Sequence, residues 1–254
     1  MRKPFGFMCL LAVAPALCLA QQTAGELEGR YWVTNSTQRL KLTEHGAGTD
    51  IDLKSDLGFK DHNFPEVRFN WYSKRRSKLM IDYFQVSYDG DKDVQRTVAF
   101  SGATYTLGTR VVSNLDIRQV KMGWACQFIN VAGGKFKLGT LLAGHGLFLD
   151  ASLAAPNLRT PIKQSGKLAA GFPTVGLALD ANPQRKVTIA GDFSGISVGK
   201  YGYAVDGELA LKFMPVRRLG LTLGYRGFRV NPKFDPEFAV VRISGPFAGA
   251  SLRF

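Results

Sequence analysis

The chain has 254 residues, 45% hydrophobic and 11% aromatic, with 28 glycines and a formal net charge of +13. That apolar content excludes intrinsic disorder, and no apolar run beyond the N-terminal segment approaches the roughly 20 residues of a membrane-crossing helix. The basic balance by itself suits nucleic acid as well as an anionic lipid surface.

The N-terminal segment decides between those partners. Met1-Arg2-Lys3 is basic, Phe5 to Ala14 is apolar and uncharged, Pro15 breaks the run, and Cys18-Leu19-Ala20 supplies small residues around a cleavage point. This order reads as a secretory signal peptide over residues 1–20. Its removal would take Arg2 and Lys3, leaving 13 − 2 = +11, and would take Cys9 and Cys18. Only Cys126 would remain, so residues 21–254 would fold as one domain without an internal disulfide. Cys126 reads as a small buried or lipid-facing hydrophobe. An exported basic chain points to anionic lipid head groups and away from nucleic acid.

From there the chain alternates apolar and polar residues with period two, which marks strands with two unlike faces. Val67, Phe69 and Trp71 alternate with Glu66, Arg68 and Asn70; Leu79, Ile81 and Tyr83 with Met80 and Asp82. Val120, Met122, Trp124 and Cys126 alternate with Gln119, Lys121, Gly123 and Ala125. The same holds for Val175-x-Leu177-x-Leu179, for Ile189 to Phe193, for Val205 to Phe213 and for Leu219 to Tyr225. The expected strands are 29–42, 65–72, 78–88, 109–128, 135–152, 172–180, 185–198, 204–213, 219–230 and 239–254. Strand five loses phase at Gly144-His145-Gly146 and strand ten at Gly245-Pro246, where bulges are expected.

The connections take turns between two lengths. Short ones are expected at 73–77, 130–134, 181–184 and 214–218. Long ones are expected at 43–64, 89–108 and 153–171, with smaller members at 199–203 and 231–238. Short turns at one end and long loops at the other fit a closed antiparallel up-and-down transmembrane β-barrel of about ten strands, with both termini at the turn end; eight or twelve strands stay open. A soluble β-sandwich would also alternate. Against it stand Trp71, Tyr72, Phe128, Phe136 and Phe213, which crowd the short turns as an aromatic girdle would. Basic residues in three of these turns, Lys74-Arg75-Arg76, Arg185-Lys186 and Arg217-Arg218, suit head groups or plain solvation equally.

The polar faces carry both signs of charge: Arg68, Asp82, Lys121, Asp206, Glu208, Lys212 and Arg226. In a barrel of this size they would share a narrow lumen, pair across it and largely fill it.

Catalytic signals are sparse. His45 and His62 fall in the first long loop among Asp50, Asp52, Asp56 and Asp61, a pattern that a solvated polar loop explains. His145 lies mid-strand. Asp89-Gly-Asp-Lys-Asp93 begins like a calcium loop but has Val94 and Phe100 where glycine and glutamate are needed, and reads as a tight turn. No phosphate loop, zinc spacing or nucleophile elbow occurs, so neither a cofactor nor a resident metal is expected.

The chain closes on Phe247-Ala-Gly-Ala-Ser-Leu-Arg-Phe254. Gly249, Leu252 and Phe254 match a Gly-x-x-apolar-x-aromatic ending that resembles the C-terminal strand signature of Gram-negative outer-membrane β-barrels. Taken with the strand pattern, the chain is similar to OmpA-like and small-porin-type barrels. The resemblance implies insertion by the barrel-assembly machinery through Gly249, Leu252 and Phe254, contact with outer-membrane lipids and lipopolysaccharide, and a structural or narrow-pore role. Two alternatives stay open: an enzyme acting on lipid or peptide at the extracellular rim, and an adhesion barrel that binds through its long loops. At the coarse level omptin-type protease barrels are similar, although no motif matches residue by residue. Lipid A deacylase barrels pair a His with a Ser, and Leu147 stands two residues beyond His145 instead.

Overall fold

The computed structural model describes residues 24–41, 49–73, 76–158, 161–234 and 237–254. The signal-peptide expectation, His45, Lys74 and Arg75 lie outside the described residues. Ten antiparallel staves close into a ring. The first is β1 (Ala24–Trp32) continued by β2 (Asn35–Lys41); the others are β4 (Phe64–Ser73), β5 (Ser77–Asp93), β8 (Arg110–Val131), β9 (Phe136–Ala155), β10 (Ile162–Gln184), β11 (Val187–Ser197), β12 (Gly202–Val216), β13 (Leu219–Phe234) and β14 (Glu237–Arg253). Three short elements sit in the long connections: β3 (Ile51–Asp52), α1 (Leu53–Leu57) and the hairpin of β6 (Val98–Phe100) with β7 (Ala103–Tyr105). No described helix is long and apolar enough to cross a membrane.

Closure joins the first stave to the last, from Glu26 opposite Arg253 to Trp32 opposite Phe247. At Val33 and Thr34 the first stave bends, and β2 resumes pairing with β14 from Asn35 opposite Ser244. The irregularity foreseen at Gly245-Pro246 sits in this partner strand. A Cβ on Gly245 would meet the Val33 carbonyl oxygen at 1.9 Å, and Pro246 keeps its carbonyl as acceptor for the Val33 amide at 2.9 Å. Inward parity survives the bend, since every even position from Glu26 to Leu40 is buried.

Several expectations are corrected. β9 runs without a register break through Gly144-His145-Gly146; irregularities occur instead between Gln127 and Ile129, Ala181 and Gln184, and Phe213 and Val216. The glycines keep strict alternation there, with His145 inward. The loop expected at 153–171 is mostly strand, because β9 and β10 pair from Ala155 opposite Ile162 onward. Asp89 to Asp93 is not a turn but the upper end of β5, with Asp89 opposite Asn114 and Asp93 opposite Arg110. The turn expected at 181–184 lies within β10, which leaves Arg185-Lys186 as a two-residue turn. These segments are strands for the same reason: β5, β8, β9 and β10 rise above the other staves as a tall wall, and their solvent-facing sides carry polar residues that mimic loop composition.

The outward surface has a sharp vertical pattern. On β13 the outward positions run Leu219, Leu221, Leu223, Tyr225, Gly227 and then Arg229; on β14, read from the turn end, Leu252, Ala250, Ala248, Pro246, Ser244 and then Arg242. On β8 the first outward charge is Arg118, on β9 Asp150 and on β10 Lys167. These staves therefore each present at least about nine residues without an outward charge, enough for a tilted strand to span hydrocarbon. Cys126 lies half-buried on this outward series.

Candidate functional site: the filled lumen

The inward face is built in two layers. The layer near the turn end is ionic. Arg226, with no exposed surface, sets its Nε and Nη2 on the two carboxylate oxygens of Asp206, each at 2.9 Å, and its Nη1 on Glu66 at 2.7 Å. Lys121 reaches Asp206 at 2.7 Å. Arg68 grips Asp82 through Nε and Nη2 at 2.7 and 2.9 Å and spans the lumen to both oxygens of Glu208 at 2.9 and 2.8 Å. Arg30 bonds Glu28 at 2.9 Å and Glu208 at 2.8 Å. Lys212 bonds Glu26 and lies 3.2 Å from Glu28. Lys78 lies 3.7 Å from Asp192, and Arg253 reaches Glu26 at 2.9 Å.

The cations in these pairs (Arg30, Arg68, Lys78, Lys121, Lys212, Arg226, Arg253) match the carboxylates (Glu26, Glu28, Glu66, Asp82, Asp192, Asp206, Glu208) one for one. Such balance is a physical requirement, since a buried charge left without its partner costs about 3–5 kcal/mol. Bidentate arginine forks dominate because they satisfy several carboxylate oxygens at once.

All seven lumen charges singled out from the sequence meet here. The sequence expectation leaves out Glu26, Glu28, Arg30, Glu66, Lys78, Asp192 and Arg253. Their signal is local: Glu26, Glu28 and Arg30 alternate with Leu27, Gly29 and Tyr31, but an expected first strand beginning at residue 29 excludes both glutamates. Glu66 shares the inward parity of Arg68.

Above the ions lies an aromatic layer. Trp32 packs against Phe64 and Phe84 with ring centroids 5.3 and 5.9 Å away, and Phe228 meets Phe84 edge-on at 6.5 Å. The Arg226 guanidinium lies 5.0 Å from the Trp32 ring, which ties the two layers together. His145 belongs to this boundary. It stacks on Phe172 at 5.1 Å, while Nδ1 meets Gln119 at 3.0 Å and Nε2 meets Thr174 at 3.1 Å. Both ring nitrogens are occupied and the ring is buried, so it holds strands together.

The loop end is apolar and plugged from above. Leu53, Leu57 and Phe59 of α1 and its exit, with Val98, Phe100 and Tyr105 of the β6–β7 hairpin, are buried against Val86, Tyr88, Leu115, Leu149 and Leu153 of the tall wall. Asp52 caps α1 by accepting from the Lys54 and Ser55 amides at 3.1 and 3.0 Å. Polar side chains then fasten the plug to β2, whose edge away from β14 pairs with β3 only at Arg39 and Leu40. Asp61 accepts from the Ser36 amide at 2.7 Å and its hydroxyl at 2.8 Å, and Asn63 accepts from the Thr34 amide at 3.0 Å. His62 contributes its carbonyl to the Thr34 hydroxyl at 2.7 Å and an edge contact to Tyr88. Burial raises the Asp61 carboxyl, but the bonds from Lys54 and Ser36 outweigh it and hold the group below the usual carboxylate range. Asp56 is lowered in the same way by Arg96, which bonds it at 2.6 Å.

The remaining sequence candidates are placed as follows. Trp71, Phe128, Phe136 and Phe213 lie on the outward series at the turn end, Phe128 and Phe213 beside the register irregularities. Tyr72 is a correction: it shares the inward parity of Arg68 and Asn70, and Arg253 lies over its ring at 5.2 Å, so it is not part of an outward girdle. Leu252 and Phe254 point outward, and Gly249 faces in, where a Cβ would meet the Gly29 carbonyl oxygen at 2.7 Å. Among the described residues no group of His, Cys, Asp and Glu has the arrangement of a metal site.

No family model and no curated protein matches the chain. Among solved structures, the outer membrane protease OmpT from Escherichia coli is similar over 93% of this chain and 100% of its own, with a TM-score of 0.62 and 8% identity. Ail, the attachment invasion locus protein of Yersinia pestis, covers 92% of this chain and 100% of its own at 11% identity, with a TM-score of 0.39. Neisserial surface protein A covers 91% and 99% at 11% identity, with a TM-score of 0.36. The likeness to the protease is one of fold: the chain has the closed antiparallel barrel architecture of Gram-negative outer-membrane proteins.

Proposed function

We propose that the protein is a non-enzymatic outer-membrane barrel whose role is structural, closed to solutes in its resting state, and delivered across the inner membrane by the cleaved segment 1–20. The observation that carries this reading is the filled lumen. A charge-balanced ionic layer at the turn end and an aromatic, plugged layer at the loop end occupy the path that a passive pore would need. The uncharged outward belt supports residence in a membrane. Outward Leu252 and Phe254 are available to the barrel-assembly machinery in the final strand. Buried His145 with both nitrogens engaged does not favour an enzyme.

Reconstitution in planar bilayers tests the reading. The intact barrel is expected to give no resolved conductance steps at moderate voltage, and steady ohmic conductance would refute the closed lumen. Cell fractionation checks the compartment, with the processed chain expected in the outer-membrane fraction.

A second reading has its own support. The tall wall of β5, β8, β9 and β10 projects beyond the belt and displays Arg110–Asp91 and Arg118–Asp150 pairs on its outer face, which suits surface binding. Deletion of the β6–β7 hairpin that abolished cell attachment without harming insertion would favour it.

A further inference from the structure

The outward face carries its first charges at the upper border of the belt, and the two sides of the barrel treat them differently. On the tall wall the cations are answered by carboxylates: Arg118 lies 2.6 Å from Asp150, Lys167 3.4 Å from the same group, and Arg110 2.6 Å from Asp91. On the low side, Arg229 of β13 stands directly opposite Arg242 of β14 in the ladder, both exposed. Neither is paired with a carboxylate among the described residues. Like charges placed opposite each other on one sheet face repel, at Cβ separations of about 5 Å. Arg229 is also held in place, its guanidinium 5.3 Å from the ring of Tyr203 on the neighbouring β12.

An anion bridging the two guanidinium groups would remove the repulsion, and two forks converging on tetrahedral oxygens suit a phosphate. Below the pair come Gly227 opposite Ser244, then Tyr225 opposite Pro246 and Leu223 opposite Ala248, an outward series without a charge. An anion seated here therefore sits one Gly–Ser rung above the apolar part of the belt. The geometry points to a binding site on the outer wall for the phosphate of a membrane lipid, with Arg229 and Arg242 on the phosphate, Tyr203 orienting Arg229, and the acyl chains lying along β13 and β14. This rests on the membrane reading proposed above.

The test uses the full barrel in a phosphate-free sugar detergent with a bis-phosphorylated lipid A-type lipid, and counts retained lipid by native mass spectrometry. R229Q/R242Q is expected to retain the lipid roughly thirtyfold less than wild type, taking about fivefold per cation at a membrane surface. R229K/R242K should retain an intermediate amount. R118Q, from the carboxylate-paired wall, should match wild type, and the dephosphorylated lipid should bind wild type and R229Q/R242Q alike. Equal retention of phosphorylated lipid by wild type and folded R229Q/R242Q would overturn the site, as would an equal loss in R118Q. Competition by millimolar inorganic phosphate as effective as that of the lipid would also overturn it, since the ligand would then be free phosphate. Failure of the membrane reading is seen separately, as a barrel that stays in the aqueous phase of detergent-free vesicle suspensions whatever its residues at 229 and 242.

Discussion

Arg226 on β13 reaches diagonally to Asp206 on the neighbouring stave β12 through two parallel bonds of 2.9 Å, with the arginine fully buried and the aspartate 3% exposed. Lys121 and Glu66 complete the arrangement from the opposite wall. Replacing Arg226 by Leu leaves Asp206 and Glu66 with too few cations. A loss of about 3–5 kcal/mol is expected, read as a lower temperature for the folded-to-unfolded gel-mobility shift. The paired change R226L/D206L should recover part of that loss, because removing both charges spares the uncompensated burial. An unchanged shift temperature in R226L would show that the network does not hold the barrel.

The closure of first stave on last depends on close backbone approach at Gly245. Gly245→Val should abolish or severely reduce refolding, since its Cβ would fall 1.9 Å from the Val33 carbonyl oxygen. Gly144→Ala is the matched control. Gly144 faces outward with nothing within 4 Å of an added Cβ, so its refolding yield should equal that of the wild type. Equal yields for both variants would mean that the seam is not built as described.

The plug should respond to acid with a definite sign. Asp61 and Asp56 are both held below the usual carboxylate range. Their contribution is therefore complete above the unfolded value of about 4 and is lost as pH falls through the lower folded values. Hydrogen exchange in residues 53–63, corrected for intrinsic rates, should speed up only below about pH 4. Asp61→Asn should weaken the protection at neutral pH and flatten the response to acid. Loosening that began near neutrality would point to a different group.

Trp32 caps the ionic layer and touches Phe64, Phe84 and Arg226. Trp32→Ala should cost about 3–5 kcal/mol by opening a cavity in a packed layer. It should also produce ion leakage in bilayers that the wild type lacks. Wild-type stability and silence in the variant would place the barrier elsewhere.

Much of the fold was legible because a strand's two faces repeat every second residue, a purely local property. Leu219 to Tyr225 and Val120 to Cys126 announced their orientation without reference to any partner. The same locality explains the errors. Above the uncharged belt the outer face of the tall wall turns polar, so Asp89 to Asp93 and much of 153–171 read as turn and loop although the ladder continues. Glycines at 144 and 146 imitated a break in phase because they have no side chain to declare a face. Tyr72 lies next to a turn, but its parity with Arg68 puts it inside.

The sequence by itself determined the strand periodicity, the apolar outer belt and the mixture of charges on the opposite face, since each depends only on neighbours along the chain. Only the tertiary structure decided which charges meet, that Arg68 crosses to Glu208 and Arg226 to Glu66, and that the lumen ends in an aromatic layer and a plug. The two cross-lumen pairs join residues 140 and 160 positions apart, and their geometry follows from the stagger of staves around a closed ring, which no single strand encodes.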